Sequence, residues 1–176
     1  MLLRKINAVI GLLCTFFLLD HAIFHAAWMM SKGTIEKSAS SLPRILFTLM
    51  MVHAIISIVL AFRGHKGAEK RKCKAYPQMN VATNIQRVGG MVMILLAVQH
   101  VLGVNGLWRV PPLVHTFLPP LFFAVALSHM AVSGSKALIT LGIGNARFVK
   151  TADVIIKVLC GITLIADIVG YYIFLG

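Results

Sequence analysis

Acidic residues are scarce in this 176-residue chain: 5 Asp and Glu stand against 17 Lys and Arg, and charged residues of both signs make up only 12%. A soluble domain of this size needs a polar surface that such a composition cannot supply. With 59% hydrophobic residues and a mean hydropathy of +0.87, the chain reads as an integral membrane protein. Cysteine is equally sparse. Cys14, Cys73 and Cys160 are far apart and form neither a C-x-x-C pair nor the C-x-x-C-H that attaches haem covalently, so no disulfide framework is expected. No repeat, low-complexity tract, second domain, flavin motif or iron–sulfur motif is present, so residues 1–176 are expected to form a single membrane domain.

What the chain has in abundance is long apolar runs. Five are long enough to cross a hydrocarbon core of roughly 30 Å, which takes about 20 helical residues. They lie near 6–30, 44–63, 83–104, 112–135 and 151–175, separated by SKGTIEKSASSLP, RGHKGAEKRKCKAYPQMN, NGLWRVPP and GIGNARFVK. The fold class expected is therefore an all-α bundle of five transmembrane helices.

The excess of positive charge, +12 net, follows from topology and implies no nucleic-acid partner. Arg4 and Lys5 precede the first span; Arg63, Lys66, Lys70, Arg71, Lys72 and Lys74 follow the second; Lys136, Arg147 and Lys150 follow the fourth. Only Lys32, Lys37, Arg44 and Arg109 fall on the other side. The positive-inside rule places the N-terminus in the cytoplasm and the C-terminus outside. The first span is no cleaved signal: it is too long for a signal's apolar core, and Asp20-His21 interrupts it.

Ionisable residues within spans are costly and point to function. His21, His53, His100 and His129 fall in spans one to four, one in each. At about 1.5 Å per residue, His21 and His100 lie roughly 22 and 26 Å from the cytoplasmic face. His53 and His129 lie roughly 16 and 6 Å from it. A single such histidine is most often a hydrogen-bonded polar group between helices. Four that sort by depth suggest two pairs: His21 with His100 for an outer haem iron, and His53 with His129 for an inner one. Bis-histidine ligation favours electron transfer over oxygen chemistry, and helix bundles build such sites from facing side chains.

The segments NIQRVGGMVMILLAVQH, LLDHAIFH, SLPRILFTLMMVHAI and PLFFAVALSHMAVSGSKALITLGI carry a resemblance. In order, and over nearly the whole chain, they resemble the five-helix dihaem cytochrome b membrane-anchor subunit of succinate:quinone oxidoreductases, the succinate dehydrogenase and fumarate reductase family. The resemblance implies two haems b and a quinone, menaquinone foremost, as electron donor or acceptor. It also implies a cytoplasmic iron–sulfur subunit with its flavoprotein, where the dicarboxylate chemistry takes place. A bacterial cytoplasmic membrane follows, as does a dimer of complexes as one assembly to consider. The pattern departs in a short loop between spans one and two and in few aromatic residues beside the ligand positions.

Gln86 and Arg87, at the cytoplasmic start of span three, are candidates to hold haem propionates; Arg87 could equally snorkel to lipid headgroups. Gly89 and Gly90 would let a macrocycle or a neighbouring helix approach closely. Asp20, His25 and Asp167 map to the outer part of the membrane, with Glu36 in the adjoining external loop, and are candidates for a quinone or proton site. His65 and His115 are expected at or near the membrane surface. Two other functions fit parts of this pattern: a dihaem anchor of another respiratory oxidoreductase, and a haem-free proton-coupled transporter.

Overall fold

The computed structural model describes residues 2–34, 42–69, 77–107 and 112–175, with side chains for all of these except 64–69, 77–85, 104 and 112–116. It is all-helical over the described residues: α1 (Leu2–Met30), α2 (Leu42–Glu69), α3 (Pro77–Val104), α4 (Pro112–Leu141) and α5 (Ala146–Leu175). Each contains a segment long and apolar enough to cross a membrane. Glu36, and the side chains of His65 and His115, lie outside the described residues.

The helices run past the apolar runs that reveal them. α2 continues through Arg63 to Glu69, six residues beyond the expected end of span two. Its extension, GHKGAE, is polar and holds two glycines, so it stays helical despite glycine's weak propensity. Hydropathy marks the part of a helix that lipid covers; backbone propensity and capping decide where the helix stops. Pro77 and Pro112 each open a helix, where a missing N–H leaves no bond unmade.

The ends are closed by backbone geometry. At the end of α4, Gly142 has φ 74°, and the amides of Gly142 and Ile143 reach the carbonyls of Ile139 and Leu138, both at 3.1 Å. This is the Schellman arrangement, which returns two orphan carbonyls to the ladder. Asn145 Oδ1 then accepts from the Phe148 amide at 2.9 Å and starts α5. α1 ends in the same arrangement with Lys32 in the left-handed position, φ 50°.

α1 packs on α2, α4 and α5; α3 packs on α2 and α4; α5 packs on α1 and α4. Among the described residues, α1 does not contact α3 and α2 does not contact α4. Helices α1 to α4 thus form a ring whose diagonals are α1/α3 and α2/α4, and α5 fills the outer groove between α1 and α4. The core of the ring is carried by residues such as Leu18, Ala22, Met50, Met93, Phe123 and Leu127. Large apolar side chains cover the outside, among them Phe16, Phe62, Leu95, Ile165 and Tyr172. In water such a surface would aggregate; in lipid it is the expected exterior.

Candidate functional site

The buried residues of α5, Cys160, Thr163, Asp167 and Gly170, fall at intervals of three and four and so form one stripe. Ala22, Ala26 and Met29 make the corresponding stripe on α1. A Cβ at Gly170 would stand 3.0 Å from the Ala26 carbonyl oxygen, so the two backbones pass closely. This approach brings Asp167 to His25, whose Nδ1 lies 3.1 Å from Asp167 Oδ1. Asp167 is 2% exposed and His25 23%. The second carboxylate oxygen, Oδ2, is buried with no hydrogen-bond partner. Asp20, expected in the same cluster, is exposed and does not join the pair.

One turn deeper, His21 of α1 and His100 of α3 lie on opposite helices of a diagonal. Phe123 of α4 sits against both, with ring centroids 6.3 Å from His21 and 6.5 Å from His100. Phe122 stacks on His100 at 5.3 Å with an interplanar angle of 14°. Both phenylalanines are buried. They follow one residue, Leu121, after Pro119 and Pro120, which lie inside α4 and each remove a backbone donor. Sequence reasoning passed over this aromatic pair, because an apolar residue inside an apolar run carries no contrast.

The second diagonal holds His53 of α2 and His129 of α4, close enough to influence each other electrostatically. His53 Nδ1 is 3.2 Å from the Asn7 carbonyl oxygen of α1. A carbonyl can only accept, so the proton sits on Nδ1 and Nε2 keeps its lone pair. Gly11 makes room for this ring: a Cβ there would stand 3.1 Å from His53 Cε1. Asn7 is held in turn by a 3.1 Å bond from its Nδ2 to Ser57 Oγ. His129 is seated over α3 in the same manner, since a Cβ at Gly90 would lie 3.3 Å from its Cε1. Its Nδ1 is buried and makes no well-formed hydrogen bond, although the Gln86 backbone lies close enough to act on the ring.

Below His129, Lys136 Nζ donates to Gln86 Oε1 at 2.9 Å, and both residues are half-buried. Lys136 also lies within electrostatic reach of His129. Arg87 is exposed. The cation beside Gln86 is therefore Lys136, a residue read from the sequence for topology alone. Its spacing of seven residues from His129 was the available signal, since residues seven apart share a helix face.

Among the described residues, no group of three or more His, Cys, Asp or Glu side chains converges as a protein-only metal centre would require. His53 and His129 act on each other across one diagonal, and His21 and His100 share Phe123 as a neighbour across the other. The class these features define is a membrane-spanning helical bundle with ionisable side chains on its internal faces. No family model, curated protein or solved structure matches this chain.

Proposed function

We propose that this chain is the cytochrome b membrane anchor of a succinate:quinone oxidoreductase-type complex, holding two haems b and carrying electrons between membrane quinone and a cytoplasmic iron–sulfur and flavoprotein pair. The observation that carries the reading is the inner histidine pair: two imidazoles on diagonal helices, one with its Nδ1 proton fixed by the Asn7 carbonyl and its Nε2 lone pair kept, the other with its Nδ1 buried beside the Gln86 backbone of α3. A histidine that donates one N–H to a carbonyl while offering the other nitrogen is the usual second-shell arrangement of a metal ligand. Gly11 and Gly90 let the two imidazoles seat closely against the neighbouring helices, where a side chain would press on the rings.

In this reading His53 and His129 hold the inner haem, and His21 and His100 the outer one. Gln86 and Lys136 supply the donors for the inner haem's propionates. A bound haem b supplies reversible one-electron exchange between ferric and ferrous iron. The protein's own contribution is to fix imidazole tautomers, exclude water with an apolar wall, and place a cation near the propionates. Phe122 and Phe123 would line the outer haem. The dicarboxylate reaction belongs to the partners, which dock on the basic cytoplasmic side; a bacterial cytoplasmic membrane and menaquinone suit the same reading.

The test is haem per chain, measured as pyridine haemochrome on purified protein. Two haems b are expected in the wild type, and His21→Ala, His53→Ala, His100→Ala and His129→Ala should each lower that content. A folded wild-type protein with no haem would overturn the reading, and a proton-coupled transporter using the same histidines would replace it.

A further inference from the structure

Asp20 stands where a membrane helix rarely carries a carboxylate. It lies two residues beyond Leu18, the midpoint of the apolar run 6–30, with about 21 Å of helix between it and Ile6 and about 15 Å to Met30. Its side chain is exposed. Ala22 on the same helix is completely buried, and two residues of α-helix turn through about 200°. Asp20 therefore faces almost directly away from the bundle. We infer that this outward face of α1 docks a transmembrane helix of another polypeptide, one that carries a Lys or Arg at the depth of Asp20. The inference does not rest on the proposed electron-transfer function.

Ionisable side chains inside a membrane almost always turn to the bundle interior or pair with one another. Asp167 of α5 does both: it is buried and meets His25. Asp20 does neither, and among the described residues it makes no hydrogen bond or ion pair. Its counter-charge has to come from outside this chain. Lipid tails supply none, and the amines of lipid headgroups lie at the membrane surface, about 15 Å away. Charge complementarity selects a cation, and the depth selects a helix to carry it.

A second copy does not meet this need. The Lys and Arg residues of this chain lie in loops or towards helix ends, and Lys157, the furthest from a helix end, is engaged by Asp153. A copy in the same membrane orientation would bring a second Asp20 to that depth and no cation.

The face also has the form of a helix–helix seam. Ile6, Val9, Leu13, Phe16, Asp20 and Ile23 are all exposed. They recur at alternating intervals of three and four, the spacing along which two helices cross at about 20°. Phe16 and Ile23 flank Asp20 one turn to either side. With a partner helix in place they would close over the ion pair and keep it in low dielectric, where it is strongest.

The test reconstitutes the full chain in phosphatidylcholine vesicles with a dansyl-labelled Leu–Ala transmembrane peptide that has one Lys at its centre, or norleucine in its place. Association is read as energy transfer from Trp28 in a Trp108→Phe background. The Lys peptide should associate with the parent protein roughly tenfold more tightly than the norleucine peptide. Asp20→Asn, which keeps the shape of the side chain, should erase that preference. Asp20→Lys should transfer it to a peptide with a central Glu.

Equal association of the Lys and norleucine peptides with the parent protein overturns the inference without any variant having to fold. A Lys preference that survives Asp20→Asn overturns it as well, since the cation is then met elsewhere. A parent chain that sediments as a dimer in detergent, and as a monomer after Asp20→Asn, would give the face to a second copy instead.

Discussion

Lys136 is the residue whose surroundings differ most from a plain reading of the chain. It stands seven residues from His129, about 10.5 Å along the helix axis, with a neutral amide as its partner. At that distance and an effective dielectric near 20, a unit charge is worth about 1.6 kcal/mol to an added electron. A cation favours the reduced form, so on the proposed haem reading Lys136→Met should lower the midpoint potential of the inner haem by roughly 70 mV. Arg87→Ala, at an exposed position, should leave that potential where it was. A redox titration followed in the α-band resolves the two; equal shifts would remove Lys136 from the haem's environment. The four span histidines were legible because each interrupts an apolar run. Lys136 was not, because a lysine near a span end is already explained by topology, and only its side-chain direction separates the two roles.

At the scale of elements, the close passage of α1 and α5 depends on one missing side chain. A Cβ at Gly170 would meet the Ala26 carbonyl oxygen at 3.0 Å, and Met29 and Met30 at 3.4 Å. Because the first contact is backbone, the helices must move apart. Gly170→Val should therefore destabilise the bundle by about 1–3 kcal/mol, seen as a lower unfolding temperature in detergent. The same variant should separate His25 from Asp167, whose contact depends on that approach. A surface control such as Gly161→Ala, with nothing within 4 Å of the added atom, should change neither. The existence of five helices was plain from hydropathy, since each crossing needs an uninterrupted apolar run. Their ends were not. Polar extensions such as residues 64–69 of α2 are helical without an apolar run to mark them, and hydropathy does not register them. Which helices touch was also hidden, because helix contacts in lipid are made by small residues that recur all along these spans.

At the scale of the whole molecule, the distribution of Lys and Arg sets a direction that can be measured. Alkaline phosphatase fused after residue 176 should be active and green fluorescent protein dark, with the opposite result for fusions within residues 64–76. Active phosphatase at the cytoplasmic positions would invert the molecule and exchange the inner and outer histidine pairs. The ring of four helices also imposes an order on biogenesis. α4 alone touches α1, α3 and α5, and it carries both His129 and the Phe122–Phe123 pair. Until it enters the membrane, α1, α2 and α3 form an open trough, and three of the four ligand histidines wait without a lid. A ribosome that has translated only as far as Pro111 has made most of the ligands and none of the enclosure. On the proposed haem reading, cofactor capture is a late event tied to the arrival of one helix, and a chain stalled before it would present half-built sites.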